Sequence, residues 1–463
     1  MLISIISFFK FTIITKTTLL KIIKRILLAL IIIIGIAIYV NYPKLNIISG
    51  YASKNLTSNA LISKRSVASI TANDNNMPLI KMADVTFNEK DKIGSATVFG
   101  LMERKTVYRE GLGCVLVNDS FDASKMTLKP ERNKVIDTLL YPFGHNEPLD
   151  TIFTSVDYKQ LNKAVDFAFS NPEVHKTRTV LVLHQNRIIA EKYADGFSKE
   201  TPILGWSMTK SIIATLYGTL EHEGKININS STSIPEWQND ERKNITINHL
   251  LRMQSGLEWE EDYTKISDVI KMLYLDADMT QAQRDKKAIA KPTEIWNYSS
   301  GTSNLLSGIL RDQFSSRQEY LDYPYKALID KIGMNSMLLE ADMEGNYVGS
   351  SYGWATTRDW GKFGTLYLNN GNWNGKQLFS KDWVKYITKP TKNSDGVYGA
   401  HFWLNAGGKF PDVPKDMYSA NGFQGQRVFI IPSKNLVVVR TGLEQDPIFD
   451  INTFLSGIAK SID

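Results

Sequence analysis

Apolar positions follow three patterns along this chain, and each predicts a different kind of element. Ile26 to Val40 form an uninterrupted apolar run, which as a helix would reach about 22 Å against a hydrocarbon core of about 30 Å. Tyr42 and the aliphatic stems of Lys24 and Arg25 can extend it. Short runs rich in β-branched residues, Thr179 to His184 with Arg187 to Tyr193 and Arg427 to Ile431 with Leu436 to Arg440, predict two hairpins. Between the hairpins the pattern is largely helical and loop-like. The best-defined helix there carries Ile212, Ile213, Leu216 and Leu220 at helical spacing, with Gly224 placed as its C-terminal cap. The simplest assembly is an α/β (α+β) fold: an antiparallel sheet built from both ends of a domain, flanked by terminal helices, with a helical insertion.

The rest of the chain divides by composition. Residues 1–45 read as a membrane anchor or signal-anchor. Residues 46–79, rich in Ser, Asn, Thr and Lys and poor in aromatics, read as a flexible linker. Residues 80–150 form a small strand-containing region with runs such as Thr97 to Gly100 and Cys114 to Val117, expected to pack on the main domain of residues 151–463. The net charge of +6 resides in residues 1–50, which hold six basic residues and no acidic one. The neutral remainder gives no support for nucleic-acid binding. Basic residues ahead of the apolar run predict a cytoplasmic N-terminus, with the main domain on the extracytoplasmic, periplasmic side of the inner membrane. A cleaved signal peptide is the alternative, with Gly50-Tyr51-Ala52 as a distant cleavage site.

No two of the six histidines and one cysteine stand at a metal-ligand spacing, so no metal or cofactor is expected. Cys114 lies in an apolar run and reads as a buried thiol.

Chemistry concentrates where the best-defined helix begins, at Ser207-Met208-Thr209-Lys210. Side chains three apart share a helix face, so Ser207 and Lys210 can come within hydrogen-bonding reach. Unpaired amides and the positive dipole end of the first turn favour negative charge developing at the serine oxygen. Lysine is a base only without its proton, and from an ordinary pKa of about 10.4 it needs burial or a nearby cation to lose it. The spacing alone is weak, because Ser7-Phe8-Phe9-Lys10 repeats it inside the apolar leader. A capping serine beside an exposed lysine gives the same pattern.

Order adds specificity. Gly205 to Lys210 is followed by His249-Leu250-Leu251-Arg252-Met253-Gln254-Ser255-Gly256-Leu257-Glu258-Trp259, by Trp296-Asn297-Tyr298-Ser299-Ser300-Gly301, by Ala355 to Trp360, and by Asn421-Gly422-Phe423-Gln424-Gly425-Gln426 leading into Ile430-Ile431-Pro432. Over roughly residues 151–460 this series resembles the penicillin-recognising serine hydrolases in their class C beta-lactamase-like branch. Within that branch it is most similar to 6-aminohexanoate-dimer hydrolase-type amidases and related esterases. The resemblance implies a beta-lactamase/transpeptidase-like fold and an acyl-enzyme on Ser207, with Lys210 and Tyr298 sharing the proton traffic. It places Ser300 with the substrate-binding residues, and Gly422 with the Phe423 and Ser207 amides at the oxyanion hole. The expected substrate is a small ester, amide or peptide.

One element departs from the family pattern. Ala420-Asn421-Gly422 stands where Lys-Thr-Gly is common, so the cation that would pair with a substrate carboxylate is absent, which favours neutral esters or amides. Arg440-Thr441-Gly442 imitates that element one hairpin leg too late. Aromatic residues near the motifs (Trp206, Trp259, Tyr263, Trp296, Tyr352, Trp354, Tyr398 and Trp403) suit an elongated uncharged chain, although each is also an ordinary core residue. Three rival readings stay open: a beta-lactamase or D-alanyl-D-alanine carboxypeptidase-like enzyme, a catalytically silent cell-wall or partner-binding relative, and a Gly349-Ser350-Ser351-Tyr352-Gly353 nucleophile elbow served by Asp382 and His401.

Overall fold

The computed structural model describes residues 16–125, 127–134, 138–444 and 449–463; Ser7 and Lys10 lie outside the described residues. Helix α1 spans Lys16–Leu61 and is long and apolar enough near the N-terminus to span a membrane. Its environment changes along its length. Large apolar side chains from Leu19 to Val40 are exposed, whereas Ala52 and Leu56 are fully buried.

The flexible linker expected over residues 46–79 is therefore corrected: α1 continues to Leu61 and packs. Its small polar residues make tertiary contacts rather than solvating a tether. Ser49 Oγ donates to the Met102 carbonyl at 2.7 Å, and Ser53 Oγ donates to the Gly94 carbonyl at 3.1 Å. Lys54 Nζ meets the buried Glu340 carboxylate at 2.6 Å. A side chain on Gly94 would collide with Thr57 Oγ1, 2.0 Å from the position of a Cβ, so close helix–sheet approach needs the glycine. Further along, Asp74 is buried between Arg65 and Arg178 at 2.6 and 2.7 Å.

The surface that receives α1 is an antiparallel meander of β1 (Ala83–Asn88), β2 (Ile93–Val98), β3 (Leu101–Arg109) and β4 (Gly113–Val117). The run read as extended to Gly100 stops at Val98. Phe99 and Gly100 form the β2–β3 turn with φ of 54° and 72°.

The main sheet is assembled from sequence-distant pieces. Helix α2 (Tyr158–Phe169) precedes β5 (Thr177–His184) and β6 (Arg187–Tyr193), and then comes the helical insertion, beginning with α3 (Met208–His222). α4 (Ser300–Arg311) and α5 (Thr357–Leu368) follow, then β7 (Trp403–Leu404), β8 (Tyr418–Gly422), β9 (Gln426–Ile431), β10 (Leu436–Gly442) and the terminal α6 (Ile451–Ala459). The six strands lie antiparallel in the order β7-β8-β9-β10-β5-β6.

Strand alternation divides the core in two. Leu181, Leu183, Val428, Ile430, Val437 and Val439 face the insertion. Val180, Val182, Phe429, Ile431, Leu436 and Val438 pack with residues of α2 and α6. Both faces are covered, which is why β5 and β10 read as nearly continuous apolar runs.

Candidate functional site

Three elements converge on Ser207: the start of α3, the start of α4 and the end of β8. The turn carrying Ser207 is fixed by its backbone. Gly205 N–H donates to the Gly353 carbonyl at 2.7 Å, and Trp206 takes a left-handed φ of 47°, an uncommon conformation for a bulky residue. β8 closes against the same turn, where a Cβ on Gly422 would lie 2.0 Å from the Gly205 carbonyl. Only glycine lets the two backbones approach this closely. Ser207 and Phe423 amides donate to no acceptor among the described residues, which leaves both available to an oxyanion.

Lys210 is 2% exposed, and its Nζ has three partners at 2.9 Å: Ser207 Oγ, Ser300 Oγ and the Ser350 carbonyl. Burial lowers its pKa to about 8, partly opposed by the Glu261 carboxylate. The hydrogen-bond inventory then sets the direction of each contact. A carbonyl can only accept, so Ser350 takes one Lys210 hydrogen. The Ser300 hydroxyl gives its single hydrogen to Glu261 Oε1 at 2.5 Å, so toward Lys210 it can only accept. A neutral lysine has two hydrogens, both now placed, and its lone pair faces Ser207 Oγ. Ser207 must donate to it.

Glu261 anchors this chain of contacts, and sequence reasoning missed it. Its carboxylate accepts from Ser300 Oγ and Tyr263 Oη on one oxygen and from the Ser300 amide and Trp259 Nε1 on the other. The available signal was adjacency: Glu261 lies two residues beyond the His249–Trp259 motif. Ser300 is also corrected. It does not line a substrate surface, because its hydroxyl is fully buried and committed to Lys210 and Glu261 at the first turn of α4.

Tyr298 is half-buried, with its ring against Trp403 at 5.2 Å and Lys210 Nζ 5.0 Å from its centroid. Burial and the Glu261 carboxylate push its phenol well above 10, while the hydrogen bond it shares with Ser207 pulls the other way. Tyr298 is therefore a neutral phenol at physiological pH, able to donate a proton and unsuited to taking one first.

The rival elbow is not assembled. Ser351 Oγ contacts Ser350 Oγ, Asp382 pairs with Lys385, and His401 bonds Ser303 and the Leu251 carbonyl. Burial lowers the His401 pKa to about 3. Arg440 is held by Glu444, Thr177 and His175, and it braces the end of β10.

A family profile described as Beta-lactamase matches residues 176–442, which covers more than half of the chain. The chain belongs to the beta-lactamase family. Among the relatives of this family member is the 6-aminohexanoate-dimer hydrolase of Paenarthrobacter ureafaciens, 21% identical over 296 residues, covering 58% of this chain and 74% of that protein. Solved structures that share the fold include a penicillin-binding protein homologue from Caulobacter crescentus, with a TM-score of 0.52 at 13% identity over 68% of this chain and 99% of the other. A family VIII carboxylesterase gives a TM-score of 0.50 at 16% identity, over 68% of this chain and all of the other. The beta-lactamase/transpeptidase-like architecture thus agrees with the antiparallel sheet, terminal helices and helical insertion read from the sequence.

At the position where the beta-lactamase family often carries lysine, Ala420 is buried at 1% exposure. A cation nevertheless comes from the neighbouring strand. Arg427, paired in register with Asn421, donates to the Gly422 and Gln426 carbonyls and acts electrostatically on Tyr298.

Proposed function

We propose that this chain is a serine hydrolase that cleaves an ester or amide through an acyl-enzyme on Ser207. The observation that carries this reading is the three-way coordination of buried Lys210 by Ser207, Ser300 and the Ser350 carbonyl, which in the neutral form gives both hydrogens acceptors and turns the lone pair to the Ser207 hydroxyl. Ser207 Oγ attacks the substrate carbonyl carbon while its proton passes to Lys210. Negative charge on the carbonyl oxygen is met by the Ser207 and Phe423 amides. Tyr298 donates to the leaving alkoxide or amide nitrogen as the carbon–heteroatom bond breaks, and recovers a proton from the incoming water. That water's oxygen bonds the acyl carbon, the bond from the acyl carbon to Ser207 Oγ breaks to release the acid, and Lys210 returns its proton to Ser207 Oγ.

The test is an active-site label. A fluorophosphonate should modify Ser207, mapped by mass spectrometry, and Ser207→Ala should abolish both labelling and ester turnover. An adduct elsewhere with Ser207→Ala still active would overturn the assignment.

A second substrate reading is favoured by Arg427, which could pair with a carboxylate such as that of a beta-lactam. A charge-assisted contact contributes about 1.5 to 3 kcal/mol. Neutral esters are preferred here because two carbonyls already engage Arg427. Faster turnover of nitrocefin than of a p-nitrophenyl ester at matched concentration would reverse that preference.

Retention of α1 as an uncleaved anchor belongs to the same proposal. The distant cleavage site at Gly50-Tyr51-Ala52 lies inside a helix, with Ala52 fully buried, where a protease has no extended segment to bind. The basic residues before the apolar run then put the catalytic side across the membrane. Fractionation with protease protection should find the chain in membranes, at its full length and cleavable only from outside the cytoplasm.

A further inference from the structure

An apolar cavity of ≈ 380 Å³ adjoins the site and is lined on one side by Ile47, Ile48 and Tyr51 of α1. Its opposite wall includes Trp206, Tyr263 and Phe423. These rings are packed together, Tyr263 stacked on Phe423 at 5.3 Å and Trp206 edge-on to Phe423 at 5.6 Å. Each also touches the chemistry by sequence: Trp206 precedes the nucleophile, Phe423 supplies the second free amide, and Tyr263 hydrogen-bonds Glu261. The cavity therefore lies between residues that flank the reacting centre and α1, at the point where that helix passes from buried to exposed.

The next feature along α1 is its exposed apolar stretch, and a second element projects the same way. Ser49 contacts Met102 and Ser53 contacts Thr106, so β3 runs alongside α1 in the same direction. The β2–β3 turn before Met102 must then lie toward the apolar half of α1. That turn presents Phe99 at 70% exposure and Leu101 at 46%, large apolar side chains at a loop tip where water would favour polar ones. A spanning helix and an apolar tip on the same side define a surface that meets the bilayer.

We infer that the substrate is a membrane-resident amphiphile, a long-chain acyl ester or amide, whose acyl chain passes from the bilayer into this cavity while its carbonyl reaches Ser207. This rests on the serine-hydrolase reading and adds the substrate class. The products are a fatty acid and the headgroup alcohol or amine. The apolar lining selects for chain length, since each buried methylene favours binding and raises kcat/KM roughly fourfold until the cavity is filled.

The experiment uses the full-length protein in phosphatidylcholine/phosphatidylglycerol nanodiscs, with p-nitrophenyl esters from acetate to myristate. The ratio of decanoate to acetate kcat/KM should be large for the native protein and should collapse in Ile80→Glu, which puts a charge into the lining. Partition of long esters into the bilayer affects both proteins alike, so the difference between them isolates the cavity. Thr264→Trp, at the exposed rim, gives a second variant with little cost to folding and should shift the preferred chain to shorter lengths. Independently of turnover, a dansyl-labelled undecanoic acid should bind the native protein and lose affinity on the order of tenfold or more in Ile80→Glu. Ser207-dependent acetate hydrolysis with no chain-length gain, or an equal gain in native and variant proteins, overturns the acyl-chain proposal and leaves the hydrolase standing. Absence of both ester turnover and Ser207 labelling removes the hydrolase and this inference with it.

Discussion

Lys54 and Lys210 are both buried, at 6% and 2% exposure, yet they occupy sites built on different logic. Lys54 reaches from α1 directly to Glu340 at 2.6 Å. That carboxylate is completed by Ser58 Oγ, the Cys114 amide and Trp354 Nε1. Charge meets charge with every partner fixed, and the result is a brace between α1, the small sheet and the main domain. Lys210 also has a carboxylate nearby, but the Ser300 hydroxyl stands between them. Glu261 thus orients Lys210 through a hydroxyl without forming an ion pair with it, and burial holds the lysine pKa at about 8. One interposed hydroxyl separates an ion-paired lysine from one whose pKa burial has lowered.

The sharpest way to break this comparison is to neutralise both lysines in turn. Lys210→Met should lower kcat by about 10² to 10⁴ with thermal melting preserved, since it removes a proton acceptor and no ion-paired partner. A loss below tenfold would take Lys210 out of the mechanism. Lys54→Met should do the reverse. It leaves Glu340 buried and unpaired, costing about 3 to 5 kcal/mol in urea denaturation, while turnover per folded molecule stays near native. The double variant with Glu340→Gln should recover part of that loss.

A smaller and graded effect is expected from pH. With neutral Lys210 as the proposed base, kcat/KM should rise tenfold per unit below about 8 and level off above it. The folded pKa lies below the ordinary 10.5, so between about 8 and 10.5 the unfolded chain binds the extra proton. Stability from this group therefore rises with pH across that window and is lost on acidification through it. A flat rate profile from pH 6 to 9 would contradict the assignment. The smallest effect is a displacement of that profile. Glu261 raises the Lys210 pKa, so Glu261→Gln should move the inflection to lower pH, and an upward move would show that its hydrogen bonds matter more than its charge.

The two lysines also differ in how far the sequence reveals them. Ser207 and Lys210 are three apart on one helix, so a local rule brings them together, and the order of motifs supplies Tyr298 and Gly422. Glu261 has no such local relation to Lys210; only the packing of α3 against α4 introduces it. Lys54 was hidden by composition. A stretch of Ser, Asn and Thr reads as a solvated tether, yet small polar side chains are also what a helix needs to lie close against strands and bond their backbones. The hairpins and the terminal-helix layer were legible because strand alternation and buried runs mark them directly. The Thr97–Gly100 run misled because apolarity does not distinguish a strand from an exposed turn.

The pairing of β5 with β10 carries a consequence for how the chain is made. β5 is complete at His184, but its partner begins only at Leu436, which at about 5 to 20 residues per second is a delay on the order of ten to fifty seconds. During that interval β5 can form its hairpin with β6, while its other edge, rich in Val and Leu, stays open to pairing with neighbouring nascent chains. The Phe423 amide, too, arrives only with the late strands. On the proposed mechanism, a partly synthesised chain carries Ser207 without the second oxyanion donor, and hydrolysis would wait until synthesis is nearly finished.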